Sequence, residues 1–470
     1  MATLNTAYSI ATGALEADQA ALDIIANNTS NANTPGYTNE LPQWVANDSV
    51  TLDGTSYGQG VTMTGPDSQR DLVLEQRIQQ QTQLESGTSA RLTALDQLQS
   101  IFSGATSGSS SSSSLDIGTS ISNFFSALSQ LQSNPADTSL RQSVLSAATN
   151  LASAFQSASS QLSQEQSSLD QQSGTIVTQV NSLTTAIAQL NQSISQLPPN
   201  ADGGELEDQR VYDVQQLSQL IGIHQITTDG NNLTITTSSG ALLVAKGQAY
   251  SLSTSVSGGV THISDFEGND ITTSLASGGG QLGGVLTSRD QDIPQMQSAL
   301  DTLAYDLGSA LNTSNEAGSD ANGNAGVAIF NLPSSSAGAA STISVAITSP
   351  SQIAAATTGS GSSNDGNLEN MLQLQNQTLV GGDTASTSYS SFVSTLGSLV
   401  TQVSTANTAQ QTSLTQLQTQ RDSLSAVDLN NEAAALENLQ QAYQAASKVF
   451  TIVDTVMASA INLGVETTVS

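Results

Sequence analysis

The sequence predicts a mainly α, elongated protein with a small antiparallel β insert. Apolar stripes with helical spacing indicate the helices: one stripe at each end of the chain, and a long one between residues 151 and 197. The insert is indicated by a change of the apolar period to two, between about residues 221 and 286. Only 10% of the residues are charged and 4% are aromatic, so we expect a thin, aliphatic core.

Each end of the chain carries apolar residues in which steps of three and four alternate, the heptad pattern of a coiled coil. The N-terminal stripe, whose rhythm is interrupted only by Asp18, consists of Leu4, Tyr8, Ala11, Leu15, Leu22 and Ile25. The C-terminal stripe consists of Leu436, Leu439, Tyr443, Ala446, Phe450, Val453, Met457 and Ala460. Such a seam is usually an internal core. Its placement at both ends favours pairing of the ends with each other or with other copies, and hence a subunit of an assembly.

A turn motif follows the first helix. We expect this helix to end near Asn27, because the asparagine-rich run that begins there has side chains that compete for helical hydrogen bonds. Pro35 and Gly36 then stand where a type II turn requires them. The whole motif, which we predict to link two domains, consists of Asn27, Asn28, Ser30, Asn31, Asn33, Thr34, Pro35, Gly36 and Tyr37.

A second helix is predicted from Asp67 to Phe102, after an extended stretch that ends at about Gly65. Its candidate buried positions are Leu72, Ile78, Leu84, Leu92, Leu95 and Leu98. Serines 109–114 beyond it have the composition of a flexible linker.

The longest regular feature is a helical stripe that follows a break at Pro135 and ends at Pro198-Pro199. Glu165 and Gln172 are its only polar interruptions. Its members are Leu151, Phe155, Ala158, Leu162, Leu169, Ile176, Val180, Leu183, Ile187, Leu190, Ile194 and Leu197. At about 1.5 Å per residue this helix would be roughly 70 Å long.

The remaining elements are shorter. Asp229-Gly230-Asn231 supplies a turn within the β insert, and helix resumes at 291–311. Two short strands are predicted at 327–330 and 343–347, followed by a helix at 388–424.

These elements predict two domains. Residues 1–60 and 425–470 form a discontinuous terminal coiled-coil domain, and residues 61–424 form a helical central domain. The central domain contains a small β subdomain at 221–286 and a region rich in Gly, Ser and Asn at 320–365.

Composition and motifs argue against several classes of function. A formal charge of −30 disfavours phosphate backbones and anionic lipid, so we expect neither nucleic-acid nor membrane binding. We expect no catalysis, cofactor or metal. His224 and His262 have no basic or nucleophilic neighbour, and the sequence from Asp320 to Asn331 favours an Asn/Gly turn over a calcium loop. Because no secretory signal is recognisable, export would need a dedicated machine.

Particular stretches carry a family resemblance. Residues 26–37 resemble the N-terminal motif of bacterial flagellar rod, hook and hook-associated proteins, and residues 427–432, 439–446 and 461–463 resemble its C-terminal partner. Internal stretches narrow the resemblance to the hook-associated proteins that join hook and filament. They are Asn134-Pro135 with Arg141 and Leu145, Asp208–Arg210 with Gln216–Gly222, Gly279–Leu286 with Arg289-Asp290, and Asp320–Phe330.

The resemblance implies a flagellin-like axial fold and a structural role at the junction of hook and filament, outside the cell and after type III export. The implied partners are a ring of copies of the chain, the hook protein, hook-associated protein 3, and an export chaperone that binds the C-terminal helix. It also implies that an outer β domain after Phe330 is missing or vestigial here. The alternatives are another axial protein, of hook or distal rod, or a secreted enzyme or adhesin on the same scaffold.

Overall fold

Helices make up most of the chain. The computed structural model describes residues 2–52, 54–102, 116–197, 203–228 and 231–466. The α-helices in these ranges are α1 (Ala2–Asn31), α2 (Leu72–Phe102), α3 (Ile117–Ser133), α4 (Thr138–Ser195), α5 (Gly204–Leu220), α6 (Thr272–Ala276), α7 (Gly280–Thr287), α8 (Ile293–Glu316), α9 (Ala339–Thr342), α10 (Gly366–Gln373), α11 (Ala385–Ser425) and α12 (Leu429–Glu466). The predicted mainly α fold is confirmed. The serine linker at 109–114, the helix end at Pro198-Pro199 and the turn residues Asp229 and Gly230 lie outside the described residues.

The strands form small antiparallel sheets between the helices. They are β1 (Glu40–Ala46), β2 (Val50–Leu52), β3 (Thr55–Tyr57), β4 (Val61–Ser68), β5 (Ile223–Thr228), β6 (Asn232–Thr237), β7 (Leu242–Ala245), β8 (Gln248–Ala249), β9 (Ser253–Ser257), β10 (Val260–Ser264), β11 (Gly318–Ser319), β12 (Phe330–Asn331), β13 (Ser344–Val345) and β14 (Ala356–Thr357). Strands β5 to β8 form a four-stranded meander. The others pair in twos: β1 with β4, β2 with β3, β9 with β10, β11 with β14, and β12 with β13.

The β insert is shorter than predicted. Its strands run from Ile223 to Ser264, whereas the last part of the expected range forms α6 and α7. Gly284 of α7 lies so close to α2 that a Cβ atom there would be 2.2 Å from the carbonyl oxygen of Gly87. The glycine-rich sequence therefore allows α7 to approach α2 closely. The strand prediction failed here because a short apolar run cannot be assigned to strand or helix by its period alone.

Helix α4 runs through the centre of the hydrophobic core. It contains 58 residues, so it is roughly 87 Å long at about 1.5 Å per residue. It is longer than predicted because it begins at Thr138, where the Asp137 carboxylate accepts a hydrogen bond from the Ser139 N–H at 2.7 Å and caps the helix. The predicted stripe faces the core: its members are buried except Leu183, Leu190 and Leu197, which are half-buried.

The first helix ends later than predicted, at Asn31. Its polar side chains bond back to the helix instead of ending it: the Thr29 hydroxyl donates to the carbonyl oxygen of Ile25 at 2.8 Å, and the Asn31 amide donates to that of Asn27 at 3.2 Å. The predicted end near Asn27 is therefore wrong by one turn of helix.

Helix α2 buries polar residues that an apolar pattern cannot find. Ile78, Leu95 and Leu98 are buried as predicted, but Leu72 and Leu84 are 63% and 51% exposed, contrary to the prediction. The first half of the buried face is largely polar and includes Glu75, Gln79, Thr82 and Gln83. This half of α2 packs on α5 and α11, in part through side-chain amides, which leaves the leucines of the apolar pattern outside.

The region after α8 contains the turn at Asp320. The Asp320 carboxylate accepts the backbone N–H groups of Asn322 and Asn324, both at 2.8 Å, and Gly323 has a φ of +82°. The two strands predicted around this region are present but short, as β12 and β13, which pair Phe330 with Val345. In the part of the chain that the structure describes, no helix has the length and apolar character needed to span a bilayer.

Candidate assembly helices and domain joint

The structure places the two terminal helices side by side. Helix α1 packs on α12, and the rings of Tyr8 and Phe450 lie 5.1 Å apart between centroids. In the predicted N-terminal stripe, Ala11 and Ile25 are buried, and the other members, Leu4, Tyr8, Leu15 and Leu22, are half-buried. The two stripes therefore meet within one chain.

The C-terminal stripe is covered only in part by α1. Its half-buried members are Leu439, Ala446, Phe450, Val453 and Met457. Leu436 and Tyr443 are 37% and 38% exposed, and Ala460 is also exposed. Pairing with α1 thus leaves part of the predicted interface free in a single chain.

A second apolar face of α1 escaped the sequence prediction. Ala17, Ala21 and Ile24 are buried, although none belongs to the predicted stripe. Strands β1 and β4 pack on α1, and a Cβ atom on Gly13 would lie 3.3 Å from the carbonyl oxygen of Val61. Helix α1 is therefore held between α12 and the β1–β4 hairpin, and it needs apolar residues on two sides.

Helix α12 carries a second apolar stripe, which the sequence prediction also missed. It alternates steps of three and four residues and consists of Ala442, Ala445, Val449, Ile452 and Val456. All five are exposed, Ile452 by 63%. We call this set the outer stripe. An exposed apolar face of this kind marks an interaction surface.

Asn28 is the centre of a joint between the terminal helices and the rest of the chain. The residue is 1% exposed. The Asn28 amide donates to the carbonyl oxygen of Glu40 at 2.8 Å, and its oxygen accepts from the hydroxyl of Tyr37 at 2.8 Å and the N–H of Glu40 at 3.1 Å. The carboxylate of Glu432 also hydrogen-bonds Asn28; burial raises the pKa of that carboxylate and this bond opposes the rise. Asn28 thus ties α1 to β1 and to the first turn of α12.

The predicted turn lies beside Asn28. The N–H of Tyr37 donates to the carbonyl oxygen of Thr34 at 3.2 Å, and Gly36 has a φ of +85°. A Cβ atom on Gly36 would lie 3.0 Å from the Cβ of Tyr212 on α5. Both the backbone conformation and the space therefore require glycine at this position. The other motif members, Asn27, Ser30, Asn33, Thr34 and Pro35, are exposed, and Asn31 is half-buried.

Two charged residues that the sequence analysis did not single out complete the joint. The carboxylate of Asp208 on α5 accepts the N–H of Thr38 at 2.8 Å and also binds Arg70. Arg70 binds Glu207 as well, at 2.9 Å, and its side chain is only 6% exposed. Asp208 lies within one of the stretches that carry the family resemblance, and that resemblance was the one feature of the sequence that could have pointed to it. These contacts anchor the turn to the central helices.

The end of α11 closes the joint from the other side. The N–H of Asn39 donates to the carbonyl oxygen of Ser425 at 2.9 Å, and the Ser425 hydroxyl donates to that of Gln69 at 2.7 Å. Burial raises the pKa of Tyr37, and the nearby carboxylates of Glu40 and Asp208 add to the rise, so this hydroxyl stays a neutral donor. Segments far apart in the sequence thus converge on one polar cluster.

The candidate chemical residues lie apart from this joint. His262 pairs with Asp270 on the surface, with Nδ1 and Oδ2 2.7 Å apart, and His224 is exposed on β5. Among the described residues there is no group of three His, Asp or Glu side chains that could hold a metal ion. The arrangement at the joint is suited to holding chain segments in place.

Comparison with known proteins identifies relatives. Residues 95–330 match the family described as the flagellar hook-associated protein FlgK helical domain, and residues 9–38 match the flagella basal body rod protein family. Flagellar hook-associated protein 1 of Escherichia coli (strain K12) is 27% identical over 325 residues, which cover 67% of this chain and 58% of that protein. The protein of the same name from Salmonella typhimurium is 24% identical, with 96% and 98% covered.

A solved structure shows the same fold. It is described as the flagellar hook junction protein FlgK from Burkholderia pseudomallei, and it superposes with a TM-score of 0.66 at 21% identity. The superposition covers 74% of this chain and 99% of that one. The alignment with the Salmonella relative runs over 549 positions, more than the 470 residues of this chain, so the relative has segments without a counterpart here.

Proposed function

Because this chain belongs to the flagellar hook-associated protein FlgK family, we propose that it is a structural subunit of the bacterial flagellum that joins hook to filament and permits filament assembly. The observation that supports this role best is the outer stripe of α12. Helices α1 and α12 cover each other on one side only, so one chain cannot bury all the apolar surface of its terminal helices.

The outer stripe supplies association energy that is realised only when neighbours arrive. Val449, Ile452 and Val456 are 51%, 63% and 48% exposed. Burying the exposed part of each such side chain contributes roughly 1 kcal/mol. A ring of copies multiplies this gain with the number of contacts, so a modest stripe on each subunit stabilises the assembly.

The matches along the chain favour a junction protein over another axial protein. The rod-protein match is confined to residues 9–38, which belong to α1 and the turn, while the FlgK match runs from the end of α2 through α8 to β12. A hook or rod protein would match the rod-protein family at its N-terminal helix but would not match the FlgK helical domain. The family is structural, and we assign no catalytic residue and no cofactor.

The partners follow from the same assignment. We expect a ring of copies of this chain, with the hook protein on one side and hook-associated protein 3 on the other. Before assembly, an export chaperone that covers α12 would keep the outer stripe from water during type III export. The protein then works outside the cell, as part of the flagellum.

The terminal assembly unit consists of α1, the hairpin and α12. Residues 1–60 and 425–470 were the expected bounds, with a central domain at 61–424. Strand β4 begins at Val61, pairs with β1 and packs on α1, so a boundary at residue 60 would divide a hairpin. We therefore extend the terminal unit to Ser68 and begin the central domain after it.

A complementation experiment tests the proposal. A strain lacking the gene is expected to make hooks without filaments, with unpolymerised flagellin in the medium, and the wild-type gene should restore filaments. Ile452→Asp places a charge on the outer stripe and should block filament attachment while secretion continues. Gln444→Asp introduces the same side chain at an exposed position of α12 outside that stripe and should behave as wild type. Normal filaments with Ile452→Asp would refute the role of the outer stripe.

A further inference from the structure

A cavity lies inside the joint. It has a volume of about 280 Å³ and is lined by the turn at 32–38, by α2 and α5, and by the segment that connects α11 to α12. We call it the joint cavity. Three ionisable side chains besides Tyr37 border it: Glu75, Arg421 and Asp422.

Glu75 borders the cavity without a hydrogen-bond partner. The residue is 8% exposed, and its carboxylate makes no hydrogen bond to any residue that the structure describes. Burial raises its pKa; the charges of Arg421 and Arg70 act against this rise, and those of Asp208 and Asp422 add to it. Burial disfavours the charged form of this carboxylate, and Glu75 lines the cavity, so a cationic donor placed in the cavity would stabilise it.

Arg421 is the cation best placed to fill that site. Its Nε and Nη2 both donate to one oxygen of Asp422, its neighbour in the sequence, at 3.0 and 2.7 Å. The two side chains are 29% and 55% exposed, and exposed pairs of this kind contribute little to stability. In contrast, Arg70 is already held by Glu207 and Asp208. Arg421 can therefore leave its present partner at small cost.

We propose that the joint cavity receives the guanidinium group of Arg421 and that the joint has two states. In the outward state, which the structure shows, Arg421 binds Asp422. In the inward state it binds Glu75 and fills the cavity. The inward state ties α2 to the last turn of α11, one turn before Ser425, whose carbonyl and hydroxyl oxygens hold Asn39 and Gln69.

This contact acts where the direction of α12 is set. Helix α11 ends at Ser425 and α12 begins at Leu429, so a bond at Arg421 restrains the short segment between the two helices. The inward and outward states would hold the terminal unit at different angles to the central helices. Its use at a junction between hook and filament rests on the proposed function, whereas the two states are a property of the isolated chain.

The test measures this angle in the purified full chain. The protein contains no cysteine, so Gln164→Cys on α4 and Gln444→Cys on α12, both exposed, give one pair of spin-label sites. Pulsed dipolar spectroscopy on this background should show two distance populations. Glu75→Gln and Arg421→Gln should each remove the inward population. Asp422→Asn should enrich it at least fivefold, because it takes away the competing partner without touching the cavity carboxylate.

The opposite directions of these shifts separate a two-state joint from general loosening. Circular dichroism checks that each variant is folded, and Asp422→Asn, at an exposed position, gives a result even if Glu75→Gln does not fold. One distribution common to all variants, or shifts in the same direction for Asp422→Asn and Arg421→Gln, would overturn the proposal. Loss of filament assembly with the two populations intact would instead count against the proposed function and leave the two-state joint standing.

Discussion

Replacing Asn28 by Ala should detach the terminal unit from the central helices while the core stays folded. The Asn28 side chain makes hydrogen bonds to the Tyr37 hydroxyl, to both backbone groups of Glu40 and to the carboxylate of Glu432, and it is 1% exposed. Each buried group left without a partner costs about 1–3 kcal/mol. Water can enter the space left by the deleted amide, so we take the lower end of that range for each of the four partner groups and expect a loss of about 4 kcal/mol for the joint.

Hydrogen exchange measured by mass spectrometry reads this loss locally. Peptides from α1, β1 and the start of α12 should lose protection by about a thousandfold, the equivalent of 4 kcal/mol, if they open as one unit. Peptides from α4 should keep theirs. Asn27→Ala is the matched control, because it makes the same change at an exposed neighbour on the same helix and carries the same gain in helix propensity. Equal protection in the two variants would refute the assignment of Asn28 as the centre of the joint.

Two further predictions concern backbone strain and pH. Gly36→Val should strain the turn by about 1–3 kcal/mol, and the new side chain should push against Tyr212. Cells with this variant should export the protein yet build few stable junctions, whereas the central domain of the purified variant should melt at the wild-type temperature. Gly54→Val is the control for backbone strain, because Gly54 has a φ of +79° but open space where a side chain would lie, so it adds strain without crowding. Wild-type motility with Gly36→Val would show that the turn is not a functional element. Burial raises the pKa of Asp213 above its ordinary 3.8, against the hydrogen bond from Gln209, so the cost of the ionised form to stability grows as the pH rises from 3.8 and is complete above the raised pKa. In urea unfolding, Asp213→Asn should therefore be more stable than wild type at pH 7, and this gain should vanish as the pH falls below 3.8. The exposed Asp48→Asn is the control. A stability difference that does not change with pH, or one equal to that of Asp48→Asn, would contradict the prediction.

The apolar spacing predicted the elements whose positions depend on burial alone. The stripe of α4 faces the core along its length, and Ile78, Leu95 and Leu98 are buried, because an aliphatic side chain at helical spacing has one favourable place to go. Where polar contacts decide the packing, the same reasoning failed. The exposed Leu72 and Leu84 of α2 are examples.

At the joint, too, the sequence predicted the local backbone structure but not the long-range polar contacts. The turn at Gly36 could be predicted because proline and glycine restrict the backbone locally. The partners of that turn could not. Asp208 on α5 meets Thr38 and Arg70 only because the fold brings α5 next to the turn and to the segment before α2, and no local pattern in the sequence records such a contact. The outer stripe was also not predicted, because the heptad stripe of larger apolar residues on α12 was enough to identify the helix and its buried face.

The contact between Tyr8 and Phe450 connects residues separated by nearly the whole sequence. A contact over such a separation has a large loop-closure entropy to overcome, and it forms quickly only after the intervening chain has become compact. Helices α3 and α5 pack on α4, their neighbour in the sequence, so we expect these contacts to form before the two ends meet. We therefore expect the pairing of α1 with α12 to form late, so that the chain has a folded centre before it has an end able to join its neighbours.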